Sequence, residues 1–244
     1  MTNIEFVKTP TNHDLNVIRA WLEDEERTEG QSFICNWRVI EALFNNSMAF
    51  CLRINCEAVA LITWQDRVDH RVVELVVAAV KLGLRRQGHG GELVRETLSS
   101  LQQKGVLAVV AECTPAESEE FWRKHCFVDF PHEYCTGGNR SGVELFRSLV
   151  SYGRPFLPGS SLVEMELWHK SIHGVQADDI ANTKIQLQIN KNGNFVDELA
   201  IPAMPDWKVR LTFQDGTEKV QKVKRIFTPS CYEDGFIVGV PQLV

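Results

Sequence analysis

Between Val72 and Gly91, a lone carboxylate and a glycine-rich basic turn stand close together in the chain. Val72–Val80 is apolar, mostly valine and alanine, except for Glu74, as expected of a strand buried on both faces. The run Arg85-Arg86-Gln87-Gly88-His89-Gly90-Gly91 then supplies flexible backbone and two guanidinium groups. Helical periodicity follows at once, with Leu93, Val94, Leu98 and Leu101 at three- and four-residue steps. A strand–glycine turn–helix junction presents unpaired backbone N–H groups at a helix N-terminus, where the helix dipole also favours negative charge. Such a junction is an anion cradle, most naturally for phosphate.

Several phosphate-binding patterns compete for this turn. In the dinucleotide fingerprint Gly-x-Gly-x-x-Gly, Gly88 and Gly90 fill the first two positions, but Leu93 stands at the third, where glycine allows close helix–strand packing. Glu112, about twenty residues on, imitates the acidic ribose ligand of that fingerprint. A P-loop is excluded because no Gly-Lys-Ser/Thr follows. The pattern met in full is Gln/Arg-x-x-Gly-x-Gly/Ala, through Arg85, Gly88 and Gly90. It resembles motif A of the GNAT superfamily, which transfers acyl groups from acyl-coenzyme A to amines. Glu74 lies eleven residues before Arg85, the offset at which histone-acetylating members carry their general base. Further on, Phe121 and Phe127 fall in register with motif B, while Trp122 stands in place of its tyrosine and Cys126 in place of its glycine. The resemblance spans about residues 1–150 and is densest over 70–127.

The resemblance implies a coenzyme A site along Arg85, Arg86, Gln87, Gly88, His89, Gly90 and Gly91, with the amides from Arg86 to Gly91 on the pyrophosphate. It implies that the backbone of Ala78, Ala79 and Val80 holds the pantetheine arm as a guest strand would be held. The Ala78 amide would then stabilise the oxyanion of the tetrahedral intermediate. Glu74, desolvated among valines, is expected to have a raised pKa and to deprotonate the acceptor amine directly or through water. Acetyl-CoA is the expected donor and a primary amine, of cationic type, the expected acceptor, joined in a ternary complex for direct transfer. No metal is called for. The alternative is a non-catalytic coenzyme A-binding or protein-interaction module.

Each of these residues also has a structural reading that stays open. The turn could be a plain helix start, and Glu74 a carboxylate paired with Arg71. Trp122 reads as packing and Cys126 as a small buried residue. Tyr134 is a spare general-acid candidate or a structural residue. Glu23-Asp24-Glu25-Glu26, with Glu29, is either a solvated helix end or a negative field that draws a cationic acceptor.

The elements that must position these groups follow from periodicity. Strands are expected at Ile4–Val7, Met48–Ile54, Ala58–Trp64, Arg71–Val80, Val106–Glu112, Phe127–Phe130 and Val143–Leu149. Helices are expected from Asn12 or His13, at Trp37–Phe44, at Gly88–Lys104 and at Ser118–His125. This β-αα-βββ-α-β-α-ββ order is α+β, the order of GNAT-like folds, with a mixed, mostly antiparallel sheet flanked by helices. Residues 151–160 carry two prolines and two glycines and read as a linker between a 1–150 domain and a 161–244 domain. The second reads as a small all-β sandwich or barrel, with strands at Leu162–Trp168, Lys184–Ile189, Phe195–Ile201, Trp207–Phe213, Glu218–Phe227 and Phe236–Val240. Asn192-Gly193 and Asp215-Gly216 mark tight turns within it.

Composition narrows the class without choosing the reaction. Seven scattered cysteines lack any Cys-x-x-Cys pair and read as free thiols, and His169 and His173 do not read as a metal site. A net charge of −6 argues against general nucleic-acid binding, and the basic strand Lys219, Lys222, Lys224, Arg225 reads as an anti-aggregation edge. No apolar run of membrane-spanning length and no signal-peptide core is present, so a cytoplasmic location is expected; a homodimer is compatible with all of this.

Overall fold

The computed structural model describes residues 3–131, 143–150, 157–171, 173–176, 178–233 and 235–242. Tyr134 and part of the expected linker lie outside them. The chain divides into two compact units, Met1–Val128 with Gly142–Leu145, and Asp129–Ser141 with Phe146–Val244.

From the start of the chain the elements run β1 (Ile4–Val7), α1 (Asn12–Glu29), α2 (Trp37–Asn45), β2 (Ala49–Ile54), β3 (Glu57–Val68), β4 (Val72–Val80), α3 (His89–Gln103), β5 (Ala108–Cys113), α4 (Glu119–Lys124), β6 (Val128–Asp129) and β7 (Val143–Ser148), the last two crossing the boundary between the units. This is the expected α+β order. The sheet order is β1-β2-β3-β4-β5-β7-β6, antiparallel from β1 to β4 and parallel between β4 and β5. Asn55 and Cys56, at φ 50° and 70°, make the tight turn between β2 and β3. β3 runs beyond the expected Trp64 to Val68, and left-handed residues Asp69 and His70 reverse the chain there.

Helix α1 is anchored at its start. Thr11 and Asp14 form a reciprocal capping box, and Asp14, 1% exposed, also accepts from Arg53 Nε and Nη2 of β2 at 2.7 Å each. Burial alone would raise the Asp14 pKa, but the hydrogen bonds from Arg53 and Thr11 win and hold it down at about 2. The apolar stripe Leu15, Ile18, Trp21 and Leu22 packs on the sheet with Val77 and Ala79 of β4. The sulfur of buried Cys51 lies in the same layer, and burial pushes its thiol up to about 12.

The second unit holds β8 (Ser161–Ser171), β9 (Thr183–Ile189), β10 (Leu199–Pro202), β11 (Trp207–Phe213), β12 (Glu218–Lys222), α5 (Val223–Ile226), β13 (Tyr232–Glu233) and β14 (Phe236–Gly239). They form antiparallel sheets ordered β12-β11-β8-β9 and β10-β14-β13 over an apolar core that includes Met165, Leu187, Trp207, Leu211 and Phe227. Gly193 and Gly216 take the positive φ of the expected turns. The strand expected at Glu218–Phe227 stops at Lys222, because Val223 and Ile226 are both fully buried and a three-residue spacing buries both from a helical turn. Phe195 is outside β10 and joins Ile189 by a single bridge. β12 is an edge strand, and Lys222 and Lys224 both pair with Asp206. Among the described residues no helix is long and apolar enough to cross a membrane.

Candidate functional site

Strand β4 has two neighbours for half its length and one for the rest. Its parallel pairing to β5 runs from Val72↔Ala108 to Leu75↔Ala111, whereas its pairing to β3 continues to Val80. An extra residue, Val76, bulges between the pairs Trp64↔Leu75 and Thr63↔Val77. Beyond it, the β5 side of Val76–Val80 is open. Backbone direction there follows from two bonds. The Lys81 N–H donates to Val59 of β3 at 2.9 Å, so by strand alternation Val80 and Ala78 face the other way. The Val80 carbonyl accordingly accepts from Arg85 Nε at 2.7 Å, and the Ala78 N–H points into the opening.

Two cavities meet at this opening. The first, about 530 Å³, runs along Ala78, Ala79 and Val80 to the turn at Arg85, Arg86, Gly88, Gly90 and Gly91. Gly88 caps α3 at φ 92°, a left-handed conformation in which any side chain is strained. The Glu92 N–H closes the first helical bond to Gly88, which leaves the amides of His89, Gly90 and Gly91 without helical partners. A Cβ at position 90 would meet Phe121 and Val80 at 3.5 Å, ordinary contact, so alanine fits there as well. Gln87 and His89 are not part of this wall; the Gln87 side chain donates to the Gly83 carbonyl at 3.1 Å.

The second cavity, about 470 Å³, holds Glu74 and shares Ala78, Ala79, Val80 and Phe121 with the first. Phe33 and Asn36, from the connection between α1 and α2, line it, as do Gln65, Glu112 and Trp122. Glu74 is half-buried, not enclosed among valines, because its side chain faces this cavity. Gln65, its cross-strand neighbour, donates to its Oε2 at 3.2 Å.

Arg85 lines the groove, and its guanidinium also makes an ion pair that the sequence did not suggest. Its Nη2 donates to Glu25 Oε2 at 2.6 Å, and Glu25 Oε1 accepts from the Leu82 N–H at 2.7 Å. The nearly buried Glu25 thus clips the end of α1 to the chain leaving β4, and its charge is spent there. The rest of the acidic run is largely committed too, Glu23 to Arg19 at 2.8 Å and Asp24 to Arg27 at 2.9 Å. The α1–α2 connection reaches the cavity through Phe33 and Asn36 instead.

Motif B packs as expected at Trp122, 6% exposed and edge-on to Phe121 and Phe127. Cys126 contradicts its reading as a small buried residue. It is exposed, with φ 61°, since it occupies the left-handed position that glycine fills in the motif. His169 stacks on Trp207, and no group of three metal-ligating side chains occurs among the described residues. Sequence reasoning missed Phe33, Asn36 and Gln65 altogether and had Glu112 only as an imitation ribose ligand. The signal for Glu112 was its strand parity with Glu74 once β5 was paired to β4.

No protein-family model matches the sequence, and no curated protein matches it. Among solved structures, the chain is similar to N-acetylglutamate synthase from Neisseria gonorrhoeae complexed with coenzyme A and N-acetyl-glutamate, at 15% identity and TM-score 0.48. That match covers 61% of this chain and 36% of the synthase, so the chain spans about a third of that protein's length. It is also similar to Ard1 from Thermoplasma volcanium (16% identity, TM-score 0.47, 62% of this chain and 99% of that one). A third is the PaiA N-acetyltransferase from Thermoplasma acidophilum in complex with coenzyme A (15% identity, TM-score 0.48, 60% and 99%). The element order is the one expected from the sequence, and the functional reading rests on the chain's own turn and strands.

Proposed function

We propose that residues 1–150 bind acetyl-CoA and transfer its acetyl group to a primary amine directly, in a ternary complex. One observation carries this reading: the backbone of Ala78–Val80 is the common wall of a groove that ends at a glycine turn and a cavity that holds a carboxylate. The amides at the start of α3 bind the pyrophosphate, with Gly88 providing the left-handed turn that aims them. Val76–Val80 offers the pantetheine arm a strand edge that β5 leaves uncovered.

The acceptor arrives as an ammonium and gives one proton to Glu74, directly or through water. Its nitrogen lone pair then attacks the thioester carbon. A C–N bond forms while the carbonyl π pair moves to oxygen, where the Ala78 N–H donates to the oxyanion. Collapse re-forms the carbonyl and breaks the C–S bond, coenzyme A leaves as thiolate and takes up a proton, and the nitrogen sheds its second. Thiolate is a good leaving group, so buried Trp122 in place of a tyrosine does not stop the reaction.

Trp122 also favours a second reading, in which the first unit binds coenzyme A without turnover and acts through the 161–244 domain. A coenzyme A titration followed by thiol-release assays over an amine panel separates the two. Binding with turnover supports transfer, binding without turnover on any amine supports the module, and no binding overturns both. Residues 161–244 are read as a separate β domain of a cytoplasmic protein.

A further inference from the structure

The cavity that holds Glu74 carries a second carboxylate that the reaction above does not use. Glu74 pairs with Val110 in the parallel register, and Glu112 follows Val110 by two residues, so both carboxylates rise from one face of the sheet. A strand spacing of ~4.8 Å and a rise of ~3.3 Å per residue place their Cβ atoms at least about 8 Å apart, since the β4–β5 pairing ends one residue before Glu112. Both line the same cavity. Among the described residues, the other charged side chain on its wall is Arg85, whose guanidinium is taken by Glu25 and the Val80 carbonyl. The field inside is therefore negative. Phe33, Phe121 and Trp122 add aromatic surface, which attracts cations.

We propose that the acceptor is a small aliphatic diamine, with its attacking nitrogen at Glu74 and its second ammonium at Glu112. This rests on the acetyl-transfer reading and deepens it. A monoamine meets one carboxylate, whereas a chain with two ammonium groups about 6–9 Å apart meets both, given the strand geometry. A cavity of about 470 Å³ admits such a chain with room for the donor's acetyl end. None of the acidic run of α1 lines this cavity, and Glu25 is committed to the turn.

The test compares 1,4-diaminobutane with n-butylamine as acceptors for the full chain and acetyl-CoA, by thiol release at one pH and ionic strength. The expected result is a kcat/KM roughly tenfold or more in favour of the diamine, equivalent to one partly buried ion pair. The preference should weaken as salt is added, and Glu112→Gln should bring the ratio close to one. A ratio near one in the wild type, or an undiminished ratio in the variant, overturns the diamine assignment and leaves acetyl transfer standing. Should coenzyme A bind and no amine turn over, the transfer reading falls. Equilibrium binding of 1,4-diaminobutane to the coenzyme A-loaded chain then decides the dication site. Binding that Glu112→Gln abolishes keeps it; no binding, or equal binding in the variant, overturns it.

Discussion

The donor groove and the acceptor cavity share Ala78, Ala79, Val80 and Phe121, yet they are built from opposite kinds of atoms. The groove is a backbone site. Its recognition groups are amides at a helix start and along an open strand edge, and its requirements fall on φ angles and on the room left beside Gly90. The cavity is a side-chain site, assembled from Phe33, Asn36, Gln65, Glu74, Glu112 and Trp122, which come from five stretches of chain. A backbone site writes its demands into a short local run. A side-chain site is legible only after the topology has said which strands are neighbours.

The comparison breaks first if Glu74 is dispensable. Glu74→Gln should lower kcat/KM for acetyl transfer by about 10²–10⁴-fold while coenzyme A affinity stays within about twofold, since the base acts in the cavity and not the groove. Steady-state kinetics beside a coenzyme A titration checks both halves. Full turnover in the variant would remove Glu74 from the chemistry.

Helix α1 serves both sides, lining the cavity through its following turn and clipping the groove through Glu25, and its anchor is acid-sensitive. The Asp14 pKa is depressed from 3.8 to about 2, so its contribution is fully present above about pH 4 and is lost as pH falls through about 2. That is worth about 2 kcal/mol. Denaturant melts between pH 5 and pH 2 should show the loss, and Asp14→Asn should be less stable at neutral pH with a flatter acid limb. An acid limb as steep as wild type in Asp14→Asn would assign the effect elsewhere.

The glycines of the turn sharpen the contrast further. Gly88 has open space around its Cβ position, so a side chain there costs backbone strain alone, about 1–2 kcal/mol and more if β-branched. Gly88→Val should therefore weaken coenzyme A binding by roughly tenfold, measured by calorimetry. Gly90→Ala, with its Cβ at ordinary contact distance, should change it by about twofold or less. Equal effects at the two positions would mean that the turn does not need its left-handed residue.

The groove was the readable half. The positions of Gly88 and Gly90, the strand before them and the helix after them follow from local residue types, and the structure places them along one wall. The hairpin at Asn55-Cys56 and the strands around Asp215-Gly216 were legible for the same local reason. The partner of the Arg85 side chain was not legible, because Glu25 stands sixty residues upstream and no local pattern connects the two. Glu74 looked enclosed because its neighbours in sequence are valines, whereas β5 separates from β4 just past it and opens that face. Val223–Ile226 coiled into a helical turn because two fully buried side chains three apart override strand propensity. Cys126 shows the limit from the other direction: the left-handed φ of the motif persists although the glycine is gone.

The most direct test is a calorimetric titration of coenzyme A into the full chain, with Gly88→Val and Glu74→Gln alongside. The account predicts one-to-one binding in the wild type, weakened in Gly88→Val and unchanged in Glu74→Gln. A wild-type chain that takes up no coenzyme A would contradict it.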